Sequence, residues 1–457
     1  MNESFPSPDG VSRRRFLQSS STALAGGALL SALPVDRFAY AAPSDETLLV
    51  GLVGAGGRGT GAVDHALKAT PKTKLWAVGD AFPDKIDGSI RQIANSIKDD
   101  KRIAVDADRK FSGPECYKQV IDNCDVVILT TPPGLRPMMF EYAVSKGKHV
   151  FMEKPVAVDG PGVRRVLAAA EKAKTMQGKG FKNGLKVAVG LQRRHQPNYI
   201  RTIEQLHAGA IGDILAMRVY WNGGPVGPKY RRADLDKRLG RPATEMEYQV
   251  RNWYMFNWLC GDHIVEQHIH NHDVANWVLQ GYPVRCWGMG GRAFLKGPDT
   301  GEIFDHHAVE YEYAGGVRVF SQCRQIPQCV GSVSEHAVGS KGRCDVSSFR
   351  ISGEKTWRYT KAPGDNNDGH LFEHVPFFEA IAKDLPYNEA EYGAKSSLTA
   401  IMGRMATYSG KEITWEDALN SKLDLLPESL AWDAMPKVLP GPDGNYPYPQ
   451  PGKTVAL

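Results

Sequence analysis

The stretch Gly54-Ala55-Gly56-Gly57-Arg58-Gly59 decides the fold of this chain. An apolar run at 47–53, which we predict to be a buried parallel strand, precedes it, and a predicted helix at 59–69 follows it. Gly54 permits a tight turn, Gly56 lets the backbone approach a pyrophosphate, and Gly59 lets the helix pack closely on the strand. The N–H groups at the start of the helix would face the phosphates. The stretch therefore predicts a dinucleotide cradle whose cofactor-binding residues are Gly54, Gly56, Gly57, Arg58 and Gly59.

Asp80, at the end of the next apolar run, bears on the identity of the dinucleotide. Residues 74–80 read as a second strand that ends in this acid. A carboxylate at that position accepts hydrogen bonds from the adenosine ribose hydroxyls and disfavours a 2′-phosphate. Asp80 therefore favours NAD as the cofactor. NADP stays open as an alternative, because the guanidinium of Arg58 could pair with a 2′-phosphate.

Strands and helices alternate through the first part of the chain. Predicted strands at 125–130, 149–152 and 185–190 alternate with predicted helices at 138–146 and 161–176. This spacing indicates an N-terminal Rossmann domain with a doubly wound parallel sheet.

The pattern changes near residue 195. Longer alternating strands follow at 211–220, 284–290, 307–313, 317–323 and 332–338. Helical segments are predicted at about 261–280 and 371–384, and a long surface loop at 223–250. The chain is therefore predicted to be an α/β protein with a C-terminal α+β domain that carries a large, mainly antiparallel open sheet. We place the signal peptide at 1–42, the Rossmann domain at 43–195, the substrate-binding domain at 196–430 and a Pro/Gly-rich tail at 431–457.

The first 42 residues read as an export signal. Ser12-Arg13-Arg14-Arg15-Phe16-Leu17 has the paired arginines and apolar residues of a twin-arginine signal. The apolar stretch at 23–33 is too short to span a bilayer, and Ala39-Tyr40-Ala41 offers small residues to a signal peptidase. We expect a periplasmic or otherwise exported protein. A disordered basic tail is the alternative reading.

The composition of the chain argues against a nucleic-acid partner, a membrane span and a disulfide framework. The chain has 457 residues, a formal net charge of +5 and 23% charged residues. No Lys/Arg block resembles a nucleic-acid patch, and no segment is apolar enough to span a membrane. Seven cysteines, an odd number, argue against a disulfide framework. Cys323 and Cys329 could still pair, and free buried thiols are the alternative.

Two further segments contain residues suited to catalysis. The first is Lys154, in His149-Val150-Phe151-Met152-Glu153-Lys154-Pro155, and the second is the segment Glu266 to Asp273. If 261–280 is one helix, Glu266, His270 and Asp273 share a face and could converge with Lys154 on one substrate hydroxyl.

Each of these side chains suits one role in alcohol oxidation. His270 is the candidate base. Lys154 would stabilise the developing alkoxide, and Glu266 would orient a hydroxyl or the imidazole. Asp273 would support the substrate site from further away.

Other readings of these residues stay open. Lys154 could be a solvated surface lysine and His270 a core histidine. The dense group of His263, His268, His270, His272, Asp262 and Glu266 could hold a metal, although we assign no metal ligand.

These motifs resemble the Gfo/Idh/MocA oxidoreductase family, which includes glucose–fructose oxidoreductase and inositol dehydrogenase. The resemblance covers about residues 47–410 and rests on the glycine turn, Thr131-Pro132-Pro133, Glu153-Lys154-Pro155 and the segment from Glu266 to Asp273. It implies that Thr131, Pro132, Glu153 and Lys154 lie at the cofactor. It also implies that Gln192-Arg193-Arg194-His195 lines the substrate cleft, with Arg193 or Arg194 nearest the substrate. Glu266, His268 and Arg136 stand where the family commonly has Asp, Gly and His, which leaves the substrate open.

The resemblance implies an enzyme that transfers hydride between a nicotinamide cofactor and a sugar, glycoside or cyclitol. Since free nucleotide is scarce outside the cytoplasm, we expect the cofactor to be tightly held. Two alternatives remain: an NAD-dependent glycosidase that works by transient oxidation and elimination, and a non-catalytic binding protein. A homo-oligomer formed through the open sheet is expected.

Overall fold

The computed structural model describes residues 47–178 and 180–457. The predicted export signal at 1–42 lies outside the described residues.

The first sheet has six parallel strands in the order β3-β2-β1-β4-β5-β6. Its strands are β1 (Leu48–Val53), β2 (Thr73–Asp80), β3 (Lys110–Ser112), β4 (Val126–Leu129), β5 (His149–Met152) and β6 (Val187–Val189). Its helices are α1 (Gly57–Ala69), α2 (Ile86–Ile97), α3 (Cys116–Asp122), α4 (Arg136–Ser145) and α5 (Gly160–Thr175). The strand order reverses between β1 and β4, and a ligand binds such a sheet at that reversal. The predicted doubly wound sheet is confirmed.

The second sheet has nine strands in the order β14-β13-β12-β11-β7-β10-β9-β8-β15. Only β10 and β7 pair in parallel, and the other neighbours are antiparallel. Its strands are β7 (Ile214–Gly223), β8 (Pro283–Gly291), β9 (His306–Tyr313), β10 (Arg318–Gln325), β11 (Ser332–Gly339), β12 (Gly342–Asp345), β13 (Arg350–Gly353), β14 (Trp357–Arg358) and β15 (Ile413–Thr414). The predicted large, mainly antiparallel sheet is confirmed.

The remaining helices connect the two sheets. They are α6 (Pro197–His207), α7 (Arg232–Leu239), α8 (Glu245–Arg251), α9 (Asn257–Cys260), α10 (His263–Glu266), α11 (Ile269–Leu279), α12 (Gly369–Phe372), α13 (Val375–Ala382), α14 (Ala390–Ser409) and α15 (Trp415–Asn420). The long α14 packs against both α5 and β8. Because almost every side chain of α14 is buried, it lacks the amphipathic pattern by which a surface helix is recognised, and the sequence analysis missed it.

Two local predictions are right in type but not in continuity, and a third is wrong. The expected helix at 261–280 is two helices, α10 and α11, because the carbonyl of Glu266 bonds to the Lys154 side chain instead of continuing the helical ladder. The expected helix at 371–384 is also two, and the second, α13, has Pro376 in its first turn. The expected loop at 223–250 contains α7 and α8, and a capping box between Thr244 and Glu247 starts α8.

The cysteines are all free thiols, so Cys323 and Cys329 do not pair. Six are buried and Cys329 is exposed. Within 47–178 and 180–457, no helix is both long and apolar enough to cross a membrane.

Candidate active site

The glycine turn lies between the carboxyl ends of β1 and β4. Gly54 has φ +98°, a region that favours glycine, and its carbonyl accepts a hydrogen bond from the Thr130 hydroxyl at 2.7 Å. A Cβ on Gly59 would stand 2.0 Å from that carbonyl, whereas a Cβ on Gly56 or Gly57 would meet no atom of the described chain within 4 Å. Open space at these two glycines, with the unpaired N–H groups that begin α1, is what a pyrophosphate requires. The turn therefore fits a dinucleotide.

Asp80 lies in the same cleft, at the end of β2. Its carboxylate accepts hydrogen bonds from the backbone N–H of Ala55 at 2.7 Å and of Phe82 at 2.9 Å. Burial raises the pKa of Asp80 despite these bonds. The cleft also has Thr131 and Pro132 in its wall, as the family resemblance implied. The acid thus stands where a ribose-binding carboxylate is required.

Arg58 joins the glycine turn to the loop after β5, which carries the candidate catalytic lysine. Its Nε forms an ion pair with Glu153, and its Nη2 lies 2.8 Å from the carboxylate oxygen Oε1 of Glu373. Burial acts to raise the pKa of Glu153, but the positive charges of Arg58 and Lys154 outweigh it and the pKa is lowered. Burial, followed by the charge of Glu153, raises the pKa of Glu373 well above its usual range. Since Arg58 is engaged by these carboxyl groups, its proposed pairing with a 2′-phosphate has no support in this arrangement.

The structure brings Lys154 and Glu266 into direct contact. Lys154 Nζ donates to the backbone carbonyl of Glu266 at 2.5 Å and lies 3.1 Å from its carboxylate oxygen Oε1. Only 11% of the Lys154 side chain and 10% of the Glu266 side chain are exposed. The second carboxylate oxygen of Glu266 is buried and has no hydrogen-bond partner among the described residues. This pair can therefore hold a polar substrate group in a site that excludes most water.

His270 lies within the electrostatic influence of the same lysine. Its ring stacks on Trp221, with centroids 5.7 Å apart, and is buried. Burial, together with the positive charges of Lys154 and Arg193, holds the pKa of His270 well below its usual range. Its Nδ1 has no hydrogen-bond partner within the described chain. His270 is therefore neutral at ordinary pH, and its Nδ1 is not used by the surrounding described residues.

The two arginines of the 192–195 segment face different partners. Arg194 forms a two-pronged ion pair with Asp273, with both contacts at 2.9 Å, and Ser396 donates to the same carboxylate at 2.8 Å. Arg193 pairs with the buried Glu335. Of these two arginines, Arg193 is the one whose charge contributes to lowering the pKa of His270, whereas Arg194 is paired with Asp273. We therefore keep Arg193 as the candidate for substrate contact.

The neighbouring histidines form hydrogen bonds with hydroxyl groups of the surrounding structure. His268 and His272 both bond to the Ser321 hydroxyl, at 2.8 and 3.0 Å. His263 bonds to the hydroxyl of Tyr254 at 2.8 Å. Within the described ranges, no three His, Cys, Asp or Glu side chains are arranged to hold a metal ion. These contacts give His263, His268 and His272 packing roles.

Arg136 is a site residue whose role could not be predicted from the sequence. Its buried guanidinium donates to the carbonyl of Pro155, directly after Lys154, and burial lowers its pKa to about 10. The available signal was its place in the turn after β4, next to Thr131-Pro132-Pro133. It adds a second cation near Glu266, since the charges of Glu153 and Glu266 both act on it.

One end of the cleft could not be predicted from the sequence. Beyond Asp80, its lining includes Phe82, Lys85, Lys229, Arg251 and Trp432. These residues come from three separate parts of the chain, and no local pattern links Trp432 to a nucleotide site.

Comparison with known proteins agrees with this geometry. Residues 48–181 match the sequence model of the Gfo/Idh/MocA family, described as an oxidoreductase family with an NAD-binding Rossmann fold. The match covers β1 through α5, the part of the chain that contains the glycine turn, Asp80 and Lys154. Residues 48–181 therefore resemble the NAD-binding Rossmann domain of that family.

Relatives of this chain include a glycosyl hydrolase family 109 protein from Shewanella pealeana, which is 26% identical over 35% of this chain and 37% of its own length. An inositol 2-dehydrogenase from Saccharopolyspora erythraea is 26% identical over 51% of this chain and 60% of its own. The chain thus spans less than two thirds of either relative. A solved scyllo-inositol dehydrogenase from Lactobacillus casei, with bound NAD(H) and scyllo-inositol, has the same fold, with a TM-score of 0.58 and 19% identity over 81% of this chain and 99% of that one.

Proposed function

We infer that this chain, whose residues 48–181 carry the NAD-binding domain of the Gfo/Idh/MocA oxidoreductases, oxidises a hydroxyl group of a sugar, glycoside or cyclitol with NAD. The observation that carries the inference is the contact between Lys154 and Glu266. Lys154 follows Glu153, whose ion pair with Arg58 connects this loop to the dinucleotide turn. The named inositol dehydrogenase relative supports a polyhydroxylated substrate.

NAD, when bound, supplies the hydride acceptor. Lys154, held by the carbonyl and carboxylate of Glu266, would donate a hydrogen bond to the substrate hydroxyl and stabilise the alkoxide that forms as its proton leaves. His270, neutral because it is buried beside a cation, would accept that proton. The unpaired carboxylate oxygen of Glu266 would accept a hydrogen bond from a neighbouring substrate hydroxyl.

We also propose that the protein is exported in folded form through the twin-arginine route. The paired arginines at 13–15 support this, because that route lets the chain acquire its nucleotide before export. Substituting Arg14 and Arg15 with lysine should leave the protein in the cytoplasm. Cell fractionation of both forms tests this, and unchanged export of the double variant contradicts it.

A glycosidase is the second candidate, supported by the named glycosyl hydrolase relative. Transient oxidation beside a glycosidic bond would acidify a neighbouring C–H group and permit elimination. The same Lys154 and His270 would then move the protons. In that case the cofactor would return to its starting state in each cycle.

A homo-oligomer through the open sheet remains part of the proposal. The face of the second sheet that points away from its helices exposes apolar side chains, among them Met289 at 75% and Phe320 at 43%. Isolated proteins rarely expose a broad apolar face. Light scattering tests this: we expect at least a dimer, and a Phe320→Glu/Met289→Glu variant should shift to the monomer.

One experiment separates the candidate functions. Purified protein is denatured and the supernatant is assayed for nucleotide, and native protein is incubated with free sugars, inositols and chromogenic glycosides. Net NADH formation supports the dehydrogenase, and glycoside cleavage without net reduction supports the glycosidase. Absence of nucleotide and of affinity for added NAD(H) supports the non-catalytic binding protein and overturns our inference.

A further inference from the structure

The adenosine end of the cleft is walled by parts of the chain far from the Rossmann domain. Asp80 and Phe82 come from the end of β2, Lys229 and Arg251 from the second domain, and Leu430 and Trp432 from the C-terminal segment. A Rossmann domain alone leaves this end of its dinucleotide site open to solvent. Here two other segments reach across it.

Phe82 is the point at which these segments meet. The ring of Trp432 stacks on it, with centroids 5.1 Å apart and planes within 22°. The guanidinium carbon of Arg251 lies 3.7 Å from the centre of the same ring. Phe82 therefore contacts both the second domain and the C-terminal segment, two residues beyond the acid at the ribose position.

Two ion pairs reinforce this contact. Asp84 lies 2.9 Å from Arg238 and 3.2 Å from Arg251, so one carboxylate of the first domain joins two arginines of the second. The charges of Arg251 and Arg238 contribute to lowering the pKa of Asp84 against the effect of burial. The carboxylate is thus ionised, and the pairs form, at any pH near neutrality.

The C-terminal segment 424–446, which we term the strap, is attached to both domains. At its start, the N–H of Leu425 bonds to Asp159 of the first domain at 2.9 Å. Further along, the carbonyl of Val438 accepts a bond from Gln249 of α8 at 2.7 Å. Near its end, Tyr446 is 4% exposed. Trp432 lies between the two attachments, so the strap crosses the cleft under constraint from both ends.

We propose that the strap and the Asp84 ion pairs close the adenosine end of the dinucleotide site, so that Trp432 is a cofactor-retaining residue. Departure of a dinucleotide then requires the contact between Phe82 and Trp432 and the two ion pairs to open together. Lys85 and Lys229, in the same wall, add positive charge that favours the anionic ligand. The inference rests on the proposed NAD-dependent function and explains how an exported enzyme keeps its cofactor.

Dissociation of NADH from the full-length protein tests the closure. Protein loaded with NADH is mixed with excess NAD, and the loss of bound-NADH fluorescence is followed. We expect Trp432→Ala to release NADH at least tenfold faster than wild type, and Asp84→Asn to release it severalfold faster. High salt should accelerate release from wild type more than from Asp84→Asn, because salt screens the partly exposed ion pairs. Tyr448→Ala is the matched control, since Tyr448 belongs to the tail but lies outside this wall.

The outcomes are distinct. Wild-type release rates in both Trp432→Ala and Asp84→Asn, with NADH bound normally, overturn the closure and leave the proposed function standing. Failure of wild type to bind NADH overturns both. If Trp432→Ala does not fold, Asp84→Asn decides the matter alone, because it changes only a carboxylate at the protein surface.

Discussion

Lys154 Nζ donates a hydrogen bond to the backbone carbonyl of Glu266 at 2.5 Å, across 112 residues of sequence. In a continuous helix that carbonyl would accept the N–H of His270, but the His270 N–H bonds instead to Gln267 at 3.4 Å. The lysine therefore marks the break between α10 and α11. The candidate catalytic group and the bend that separates Glu266 from His270 are one structural feature.

Replacing Lys154 should remove catalysis and leave nucleotide binding. We expect Lys154→Met to lower kcat by about 10²–10⁴, the range typical of a lost acid–base or electrostatic group. Bound-NADH fluorescence should be retained, because the glycine turn and Asp80 are untouched. Steady-state kinetics measure the effect, and Lys172→Met, an exposed lysine of α5, is the control. A Lys154→Met variant with wild-type kcat removes the role we assign.

His270 gives a second kinetic prediction. His270→Gln keeps a polar side chain of similar size but cannot take up a proton, so kcat should fall by about 10² or more. His272→Gln, next to it in the same helix but bonded to Ser321, should affect stability more than kcat. Equal kcat values for the two variants would show that His270 has only a packing role.

Replacing each of the two carboxyl partners of Arg58 with glutamine should change the free energy of unfolding by different amounts. Burial and the nearby Glu153 raise the pKa of Glu373 well above its usual range, so the neutral Glu373→Gln variant should change the free energy of unfolding by less than about 1 kcal/mol. Glu153→Gln removes the ionised partner of Arg58 and should cost about 2 kcal/mol, less than a fully buried pair because Arg58 is partly exposed. Urea unfolding of both variants measures the difference. Equal losses contradict the opposite pKa shifts of Glu153 and Glu373.

Glu302 should make stability depend on pH. Its carboxylate accepts the N–H of Asn257 at 3.0 Å, and burial raises its pKa from 4.5 to about 7. Between these values the folded state binds a proton that the unfolded state releases, so stability should fall as pH rises through this window, by up to roughly 3 kcal/mol. Urea unfolding at pH 5 and pH 8 should show this fall in wild type and a smaller fall in Glu302→Gln. The exposed Glu428→Gln should behave like wild type.

Asp80 should set the choice of nucleotide. Asp80→Ala removes the carboxylate that repels a 2′-phosphate, while Lys85 and Lys229 remain in the same wall. We expect the Kd for NADH to rise about tenfold and the Kd for NADPH to fall. Fluorescence titrations with both nucleotides measure the ratio, and an unchanged ratio contradicts a ribose-binding role for Asp80.

The sequence by itself determined the Rossmann half of this protein. Glycine spacing, short apolar runs and a terminal acid are local features, and local backbone geometry is fixed by neighbours in the chain. For that reason five of the six strands of the first sheet, the turn at Gly54 and the position of Asp80 could be predicted, whereas the short edge strand β3 was missed. The alternating strands of the second sheet followed from the same kind of pattern.

Only the tertiary structure decided which distant side chains meet. Lys154 contacts Glu266, Arg58 contacts Glu373, and Trp432 contacts Phe82, and in each case the packing of domains against each other fixes the distance. Periodicity describes which face of an element is buried but not which partner buries it. The expected helix at 261–280 failed for this reason, since a lysine from another domain takes the carbonyl that would have continued it.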